Sequence, residues 1–137
     1  MRALPRFGPY QAVRELARGG MGVVYHGLAP QGQPVAIKVL HSVTGPQQAR
    51  LLREGQALLR LNHPNVVRVH DVGQDRGRPF LVMDLIDGET LQRRIDRQGP
   101  LRPRVAADLA RRLALALEHA HARGVVHRDI KPGNILV

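Results

Sequence analysis

Three polar side chains near the end of the chain, Asp129, Lys131 and Asn134, have the types and spacing that phosphoryl transfer requires. They stand in the octapeptide HRDIKPGN, where Pro132 restricts the backbone and Gly133 permits a sharp turn. A rigid loop of this kind can hold a carboxylate that accepts a hydroxyl proton, an ammonium that neutralises a phosphate, and an amide oxygen that ligates a metal. The pattern therefore indicates a catalytic loop for in-line transfer.

A second chemical feature is the glycine-rich stretch LARGGMGVVY at residues 16–25. Small residues let backbone N–H groups approach phosphate oxygens with no Cβ in the way. A strand-like segment follows the glycines, which excludes a dinucleotide-binding fingerprint, and the sequence lacks the Gly-Lys-Ser/Thr of a P-loop. Taken alone, the stretch could equally be an ordinary hairpin turn.

Lysine is rare in this chain, because 19 of the 21 basic residues are arginine and only Lys38 and Lys131 are lysine. A lysine ammonium is a compact point charge that reaches a phosphate end-on, so we expect both positions to require lysine itself. Lys38 lies in the apolar segment VAIK, where burial would demand an anionic partner. The alternative is a lysine that reaches solvent from an edge strand. Glu54 is the only acidic residue between Gln47 and Leu61, and taken alone it is more often a solvated residue of a helix face.

Hydrophobic periodicity predicts the elements that would position these residues. The predicted strands span 10–16, 23–28, 34–40, 65–72 and 79–85, and the predicted helices span 47–61, 91–97 and 102–123. Three successive strands around the glycine-rich turn favour an antiparallel sheet. The order is therefore three strands, a helix, two strands and then helices.

Composition bounds the function classes. The chain has 137 residues, no cysteine, and no apolar run near the ~20 residues of a membrane span, so we expect a cytoplasmic protein without disulfides. The formal net charge is +10, but the arginines form no block, and two Tyr, two Phe and no Trp cannot make a base-stacking platform. A bias towards arginine is the favoured explanation, and an arginine-rich nucleic-acid-binding protein is the less favoured alternative.

Together these stretches resemble the serine/threonine protein kinase family, in its bacterial form. HRDIKPGN resembles the kinase catalytic loop, VAIK the lysine-bearing strand, and FLVMDLIDG the hinge. The loop pattern G-x-G-x-x-G-x-V is matched by Gly19, Gly22 and Val24, whereas Ala17 replaces the first glycine. The resemblance implies an α+β kinase-like fold with a five-stranded antiparallel small lobe carrying one helix. A lead would span 1–9, the small lobe 10–85, and the hinge and start of the large lobe 86–137.

The resemblance also implies cofactors, substrate and residue roles. ATP and Mg²⁺ would be bound, and a protein with a Ser or Thr hydroxyl would accept the γ-phosphate. Asp129 would orient and deprotonate this hydroxyl, Lys131 would steady the γ-phosphate, and Asn134 would hold Mg²⁺. Lys38 would contact the α- and β-phosphates and pair with Glu54. The nucleotide itself would be held by Leu16, Ala17, Gly19, Gly20, Gly22, Val24, Ala36, Lys38, Met83, Asp84, Ile86 and Leu136.

Within that set, the resemblance distinguishes the adenine contacts. Met83 would lie at the back of the adenine pocket, while the C=O of Asp84 and the N–H of Ile86 would face the adenine edge. Side chains above and below the ring would come from Val24, Ala36 and Leu136.

The sequence lacks a D-F-G motif, an activation loop and an A-P-E segment. We therefore expect a truncated kinase domain that ends after the catalytic loop, with little or no phosphotransferase activity by itself. The alternative is a non-catalytic fragment that binds nucleotide or serves as a docking element.

Overall fold

The structure is a computed structural model of the chain and describes residues 4–19, 22–41, 45–126 and 130–137. The chain forms two compact units. The first contains Met1–Leu61 and Val67–Leu85, and the second contains Asn62–Val66 and Ile86–Val137. Each unit is described by itself.

The first unit is built on one antiparallel sheet. Its strands are β1 (Arg6–Phe7), β2 (Tyr10–Arg18), β3 (Gly22–Leu28), β4 (Pro34–Leu40), β5 (Val69–Asp75) and β6 (Arg78–Asp84). Their order across the sheet is β1-β2-β3-β4-β6-β5. The predicted α+β fold with an antiparallel sheet is confirmed, with β1 as a sixth strand. The fourth predicted strand was placed too early, because residues 65–68 precede β5 and its hairpin turns at 76–77.

The sheet is held by a hydrophobic cluster whose side chains alternate along the strands. β3 buries every second residue, as expected for a strand with one face on a core. The cluster comprises Phe7, Ala12, Val23, Tyr25, Val35, Ile37, Val39, Phe80 and Val82. Aromatic rings lie at its centre, since the ring centroid of Phe7 is 5.6 Å from that of Tyr25 and 5.9 Å from that of Phe80.

Residues near the N-terminus, among them Phe7 and Gly8, contact this core and sheet. Phe7 is fully buried, and the Arg78 guanidinium lies 5.3 Å from its ring centroid. The Gly8 N–H donates to Asp75 at 2.9 Å. Nearby, the Tyr10 hydroxyl donates to Asp71 at 2.6 Å. Partial burial and this carboxylate raise the pKa of Tyr10 to about 12. Sequence reasoning missed β1 because two residues carry no detectable periodicity.

One helix, α1 (Pro46–Leu58), packs on the sheet of the first unit. It begins with proline, which suits the first helical position because its missing N–H would be unpaired there anyway. Gly55 is its buried residue, and a Cβ at this position would lie 2.9 Å from Val72 Cγ1. The glycine thus permits the close approach of α1 to β5.

The second unit contains α2 (Leu91–Gln98), α3 (Pro103–Ala122) and a 3₁₀ turn at Pro132–Asn134. Thr90 caps α2 by accepting a hydrogen bond from the Arg93 N–H at 3.1 Å. Gly124, with φ of +78°, follows the end of α3. Within the described ranges, no helix is both long and apolar enough to cross a membrane.

Candidate functional site

The glycine-rich stretch forms a tight hairpin between β2 and β3. The strands stay paired up to Arg18 opposite Val23, and the Gly19 N–H donates to the Gly22 carbonyl at 2.9 Å. A Cβ on Gly22 would lie 2.0 Å from the Val39 carbonyl oxygen, so no side chain fits there. Leu16 is exposed next to this turn. Gly20 lies outside the described residues.

The strand register places five of the predicted nucleotide residues of the first unit on one face of the sheet, whereas Asp84 lies opposite Val35 and so projects from the other face. Val24 of β3 lies opposite Lys38 of β4, and Ala36 lies opposite Met83 of β6. Directly opposed residues project from the same face, and so do residues two apart on one strand. Ala17 joins the row through Val24. An exposed ammonium therefore stands among small and apolar side chains behind the glycine hairpin.

In this structure the Lys38 and Glu54 side chains form no ion pair with each other, and their pairing stays a prediction. Glu54 instead accepts a hydrogen bond from Arg50 Nε at 3.1 Å, one helical turn earlier on α1. Lys38 has no ion-pair partner among the described residues. Residues four apart on a helix are already neighbours, so Arg50 is within reach of Glu54 on α1 itself. Helix α1 nevertheless packs on the face that carries Lys38, since a Cβ on Gly55 would lie 3.1 Å from Leu81, the residue opposite Lys38.

The backbone N–H groups at the end of β6 differ in whether they already have a hydrogen-bond partner. The Asp84 N–H donates to the Arg68 carbonyl at 3.0 Å, and the Asp84 carboxylate pairs with His70. The N–H of Ile86 donates to no group in the described part of the chain. It is therefore available for a ligand acceptor, as the adenine assignment requires.

In the second unit, the terminal loop is tied to the residues that precede α2. The Leu91 N–H donates to the Ile135 carbonyl at 2.7 Å, and the Val137 N–H donates to the Glu89 carbonyl at 2.9 Å. Leu136 forms an isolated antiparallel bridge with Thr90. Backbone hydrogen bonds therefore hold the end of the chain beside residues 89–91.

The predicted catalytic residues of this loop are only partly described. Lys131 and Asn134 are exposed, and the Asn134 N–H donates to the Lys131 carbonyl at 2.9 Å across the 3₁₀ turn. Asp129, the predicted base, lies outside the described residues. The structure thus brings Lys131, Asn134 and Leu136 together in the second unit, and Ala17, Val24, Ala36, Lys38 and Met83 in the first.

Gly88 is a positioning residue that sequence reasoning treated only as part of a turn. A Cβ at Gly88 would lie 2.5 Å from the Val137 carbonyl oxygen. A side chain here would push the terminal loop away from its anchor. The Asp87-Gly88 dipeptide was the available signal, but only the fold shows what approaches it.

The residues fit a nucleotide better than they fit a metal held by protein alone. A glycine-rich hairpin beside an exposed ammonium matches the shape and charge of a polyphosphate. Mg²⁺ prefers six oxygen ligands and keeps several waters and substrate phosphates. No cluster of three or more His, Asp or Glu side chains exists in the described ranges. Asn134 could therefore supply one protein oxygen, with phosphates and water supplying others.

Known proteins with similar sequences belong to the protein kinase family. The protein kinase domain family matches residues 10–137. The serine/threonine-protein kinase PknD of Mycobacterium tuberculosis is 43% identical over 136 residues, covering 96% of this chain and 20% of that protein. PknE of the same species is 40% identical, covering 96% of this chain and 24% of that protein. The chain thus spans about a fifth to a quarter of these relatives' lengths.

Solved structures are similar over the whole chain. The crystal structure of the M. tuberculosis PknI kinase domain matches with a TM-score of 0.87 and 32% sequence identity. The match covers 99% of this chain and 57% of that kinase domain.

Proposed function

The chain belongs to the protein kinase domain family, and on that premise we propose that it binds ATP with Mg²⁺ for phosphoryl transfer to Ser or Thr hydroxyls of proteins. The observation that carries the proposal is the exposed Lys38, aligned with Val24 behind a hairpin where Gly22 has no room for a side chain. ATP is available in the cytoplasm, so we propose that the chain acts there.

In this proposal the first unit binds the nucleotide. Backbone N–H groups of the hairpin contact phosphate oxygens, and Lys38 neutralises the α- and β-phosphates. Val24, Ala36 and Met83 provide apolar contacts for adenine. The remaining nucleotide contacts are assigned to Leu16, Ala17, Gly19, Gly20, Gly22, Asp84, Ile86 and Leu136.

The terminal loop supplies the transfer chemistry. Asp129 accepts the proton of the substrate hydroxyl while the hydroxyl oxygen bonds to the γ-phosphorus. The bond between the γ-phosphorus and the bridging oxygen of ADP breaks, and ADP leaves with its electrons. Lys131 holds the γ-phosphate, and Asn134 ligates Mg²⁺. When bound, the metal neutralises charge that develops on the phosphate oxygens.

Glu54 has a conditional role. It supports Lys38 only after it exchanges its hydrogen bond with Arg50 for one with the lysine. This observation favours a second candidate function, in which the chain binds nucleotide without turnover. Both candidates predict nucleotide binding, and only the first predicts phosphoryl transfer.

Nucleotide binding by the 137-residue chain tests the proposal. We expect titration with a fluorescent ATP analogue to show saturable binding that Lys38→Met weakens by about tenfold or more, because a charge-assisted contact of about 1.5–3 kcal/mol is lost. Arg14→Met is the matched control, since it removes one exposed positive charge from the same unit. Equal loss in both variants, with strong salt dependence, would instead indicate non-specific anion binding.

Transfer of labelled γ-phosphate to a generic basic protein separates the two candidates. The sequence contains no Asp-Phe-Gly to provide the usual metal aspartate, so we expect binding with little transfer from this chain by itself. Clear transfer that Asp129→Asn abolishes would establish the catalytic candidate in full. Absence of binding would overturn both.

A further inference from the structure

Two histidines meet inside the second unit, far apart in sequence. His119 lies on α3 and His63 lies in the segment 62–66, and their ring centroids are 5.2 Å apart with an interplanar angle of 49°. Both side chains are half-buried. The nucleotide site uses neither of them.

Each ring accepts a hydrogen bond from the backbone of the segment. The Asn62 N–H donates to His119 Nε2 at 3.1 Å, and the Asn65 N–H donates to His63 Nδ1 at 3.0 Å. A ring nitrogen that accepts a hydrogen bond carries no proton. Both imidazoles are therefore neutral in this arrangement, with the proton of His119 on Nδ1 and that of His63 on Nε2.

The surroundings oppose a positive charge on the His119 ring. Arg123 lies one turn further along α3 and donates from Nη1 to the His119 carbonyl at 3.1 Å. No carboxylate among the described residues forms an ion pair with either histidine. Desolvation, Arg123 and His63 together lower the pKa of His119 below its ordinary value.

We propose that His63 and His119 form a pH-sensitive clasp, which holds the segment 62–66 on α3 at neutral pH and releases it in acid. Protonation of His119 turns its accepting Nε2 into a donor, so the Asn62 N–H loses its partner on α3. It also places an imidazolium beside Arg123 and the His63 ring. The segment runs between α1, which carries Glu54, and β5, so release frees this stretch of chain.

The direction of the pH dependence follows from the lowered pKa of His119. A histidine whose pKa is lower in the folded than in the unfolded protein binds fewer protons when folded. Its contribution to stability is complete above the unfolded value of about 6.5 and declines as pH falls towards the folded pKa. Acid therefore weakens the clasp, and neutral pH restores it.

Amide hydrogen exchange on the full chain tests the clasp. Between pH 7 and pH 5, we expect the protection factor of the Asn62 amide to fall by about tenfold relative to amides in the middle of α3, which corresponds to one lost hydrogen bond. His119→Gln should remove this pH dependence, because an amide oxygen can accept from Asn62 without titrating. His121→Gln is the matched control, because this exposed histidine lies two residues further on and points elsewhere around the helix.

A second measurement needs no variant. Ring ¹³C and ¹⁵N shifts of the unmodified protein should show His119 as the Nδ1–H tautomer at pH 7, with a pKa below the ordinary histidine value of about 6.5. The clasp is overturned if the pKa of His119 is not lowered and protection at Asn62 does not change with pH, or if His121→Gln abolishes the pH effect as fully as His119→Gln.

Discussion

The sheet unit and the helical unit are held together in different ways. Among the described residues, nearly all buried hydrophobic side chains belong to the sheet unit, and the helical unit contributes only Leu91, Ala116 and Ala120. The helical unit relies instead on backbone hydrogen bonds between residues 89–91 and the terminal loop, and on the cap at Thr90. A unit held by side-chain packing loses stability when a buried side chain is made smaller. A unit held by backbone hydrogen bonds loses stability when a helix cap is removed or a side chain is added where two backbone segments lie close together.

The two units also present their site residues differently. Strand register aligns Val24, Ala36 and Lys38 without help from neighbouring side chains. The terminal loop depends on the absence of a side chain at Gly88. This contrast predicts that core substitutions affect the sheet unit most and that helix-end substitutions act locally in the helical unit.

The largest expected effect is that of Phe7→Ala. Removal of a fully buried ring should lower the free energy of unfolding of the sheet unit by about 3–5 kcal/mol. Urea unfolding followed by tyrosine fluorescence measures it, since Tyr10 and Tyr25 both lie in this unit and the chain has no Trp. Leu115→Ala on α3, at a side chain 43% exposed, is the control and should change little. Similar losses for both variants would remove the distinction between the units.

Gly22→Ala should have the next largest effect, because its Cβ would lie 2.0 Å from the Val39 carbonyl oxygen. We expect a loss of about 1–3 kcal/mol from local overpacking, together with weaker nucleotide binding. Gly19→Ala is the matched control, since nothing lies within 4 Å of a Cβ there. The hairpin interpretation fails if both alanines behave alike in urea unfolding and in nucleotide titration.

A smaller and more local effect is expected for Thr90→Ala. Loss of the side-chain cap of α2 should destabilise this helix by about 1 kcal/mol, seen as faster amide exchange at residues 92–94. The tyrosine-monitored transition of the sheet unit should not move. Arg102→Ser offers the converse test, because α3 has no side-chain cap, and a new cap there should slow exchange in its first turn.

The smallest expected effect is that of Tyr10→Phe, which removes the hydrogen bond to Asp71. A hydrogen bond contributes roughly 0.5–1.5 kcal/mol to the free energy of unfolding, and we expect a loss near the low end because Asp71 is only half-buried. The raised pKa of about 12 adds a pH signature. The folded protein retains the phenolic proton after the unfolded chain has lost it, so stability declines as pH rises from about 10 to 12. The urea midpoint of the unmodified protein should therefore fall between about pH 10 and pH 12, and it should fall less in Tyr10→Phe. An equal fall in both proteins would show that the Tyr10 hydroxyl is not the group responsible.

Local patterns predicted a large part of this fold. The strands around the glycine hairpin and the helix predicted at 102–123 were found within a few residues, because period-2 and period-3.6 patterns are properties of short segments. The two-residue β1 and the start of β5 were missed, since neither is long enough to express a period. The Lys38–Glu54 pair stays a prediction, because in this structure Arg50, one helical turn away, is the partner of the carboxylate.

By itself, the sequence determined which chemical groups this protein carries and the elements on which they stand, because residue type and local periodicity are written along the chain. Only the tertiary structure decided which groups meet. The Asn62 N–H and His119 are 57 residues apart, and Gly88 faces Val137 only after the terminal loop has folded back. Contacts of this range depend on how whole elements pack, and no spacing within a segment can specify them.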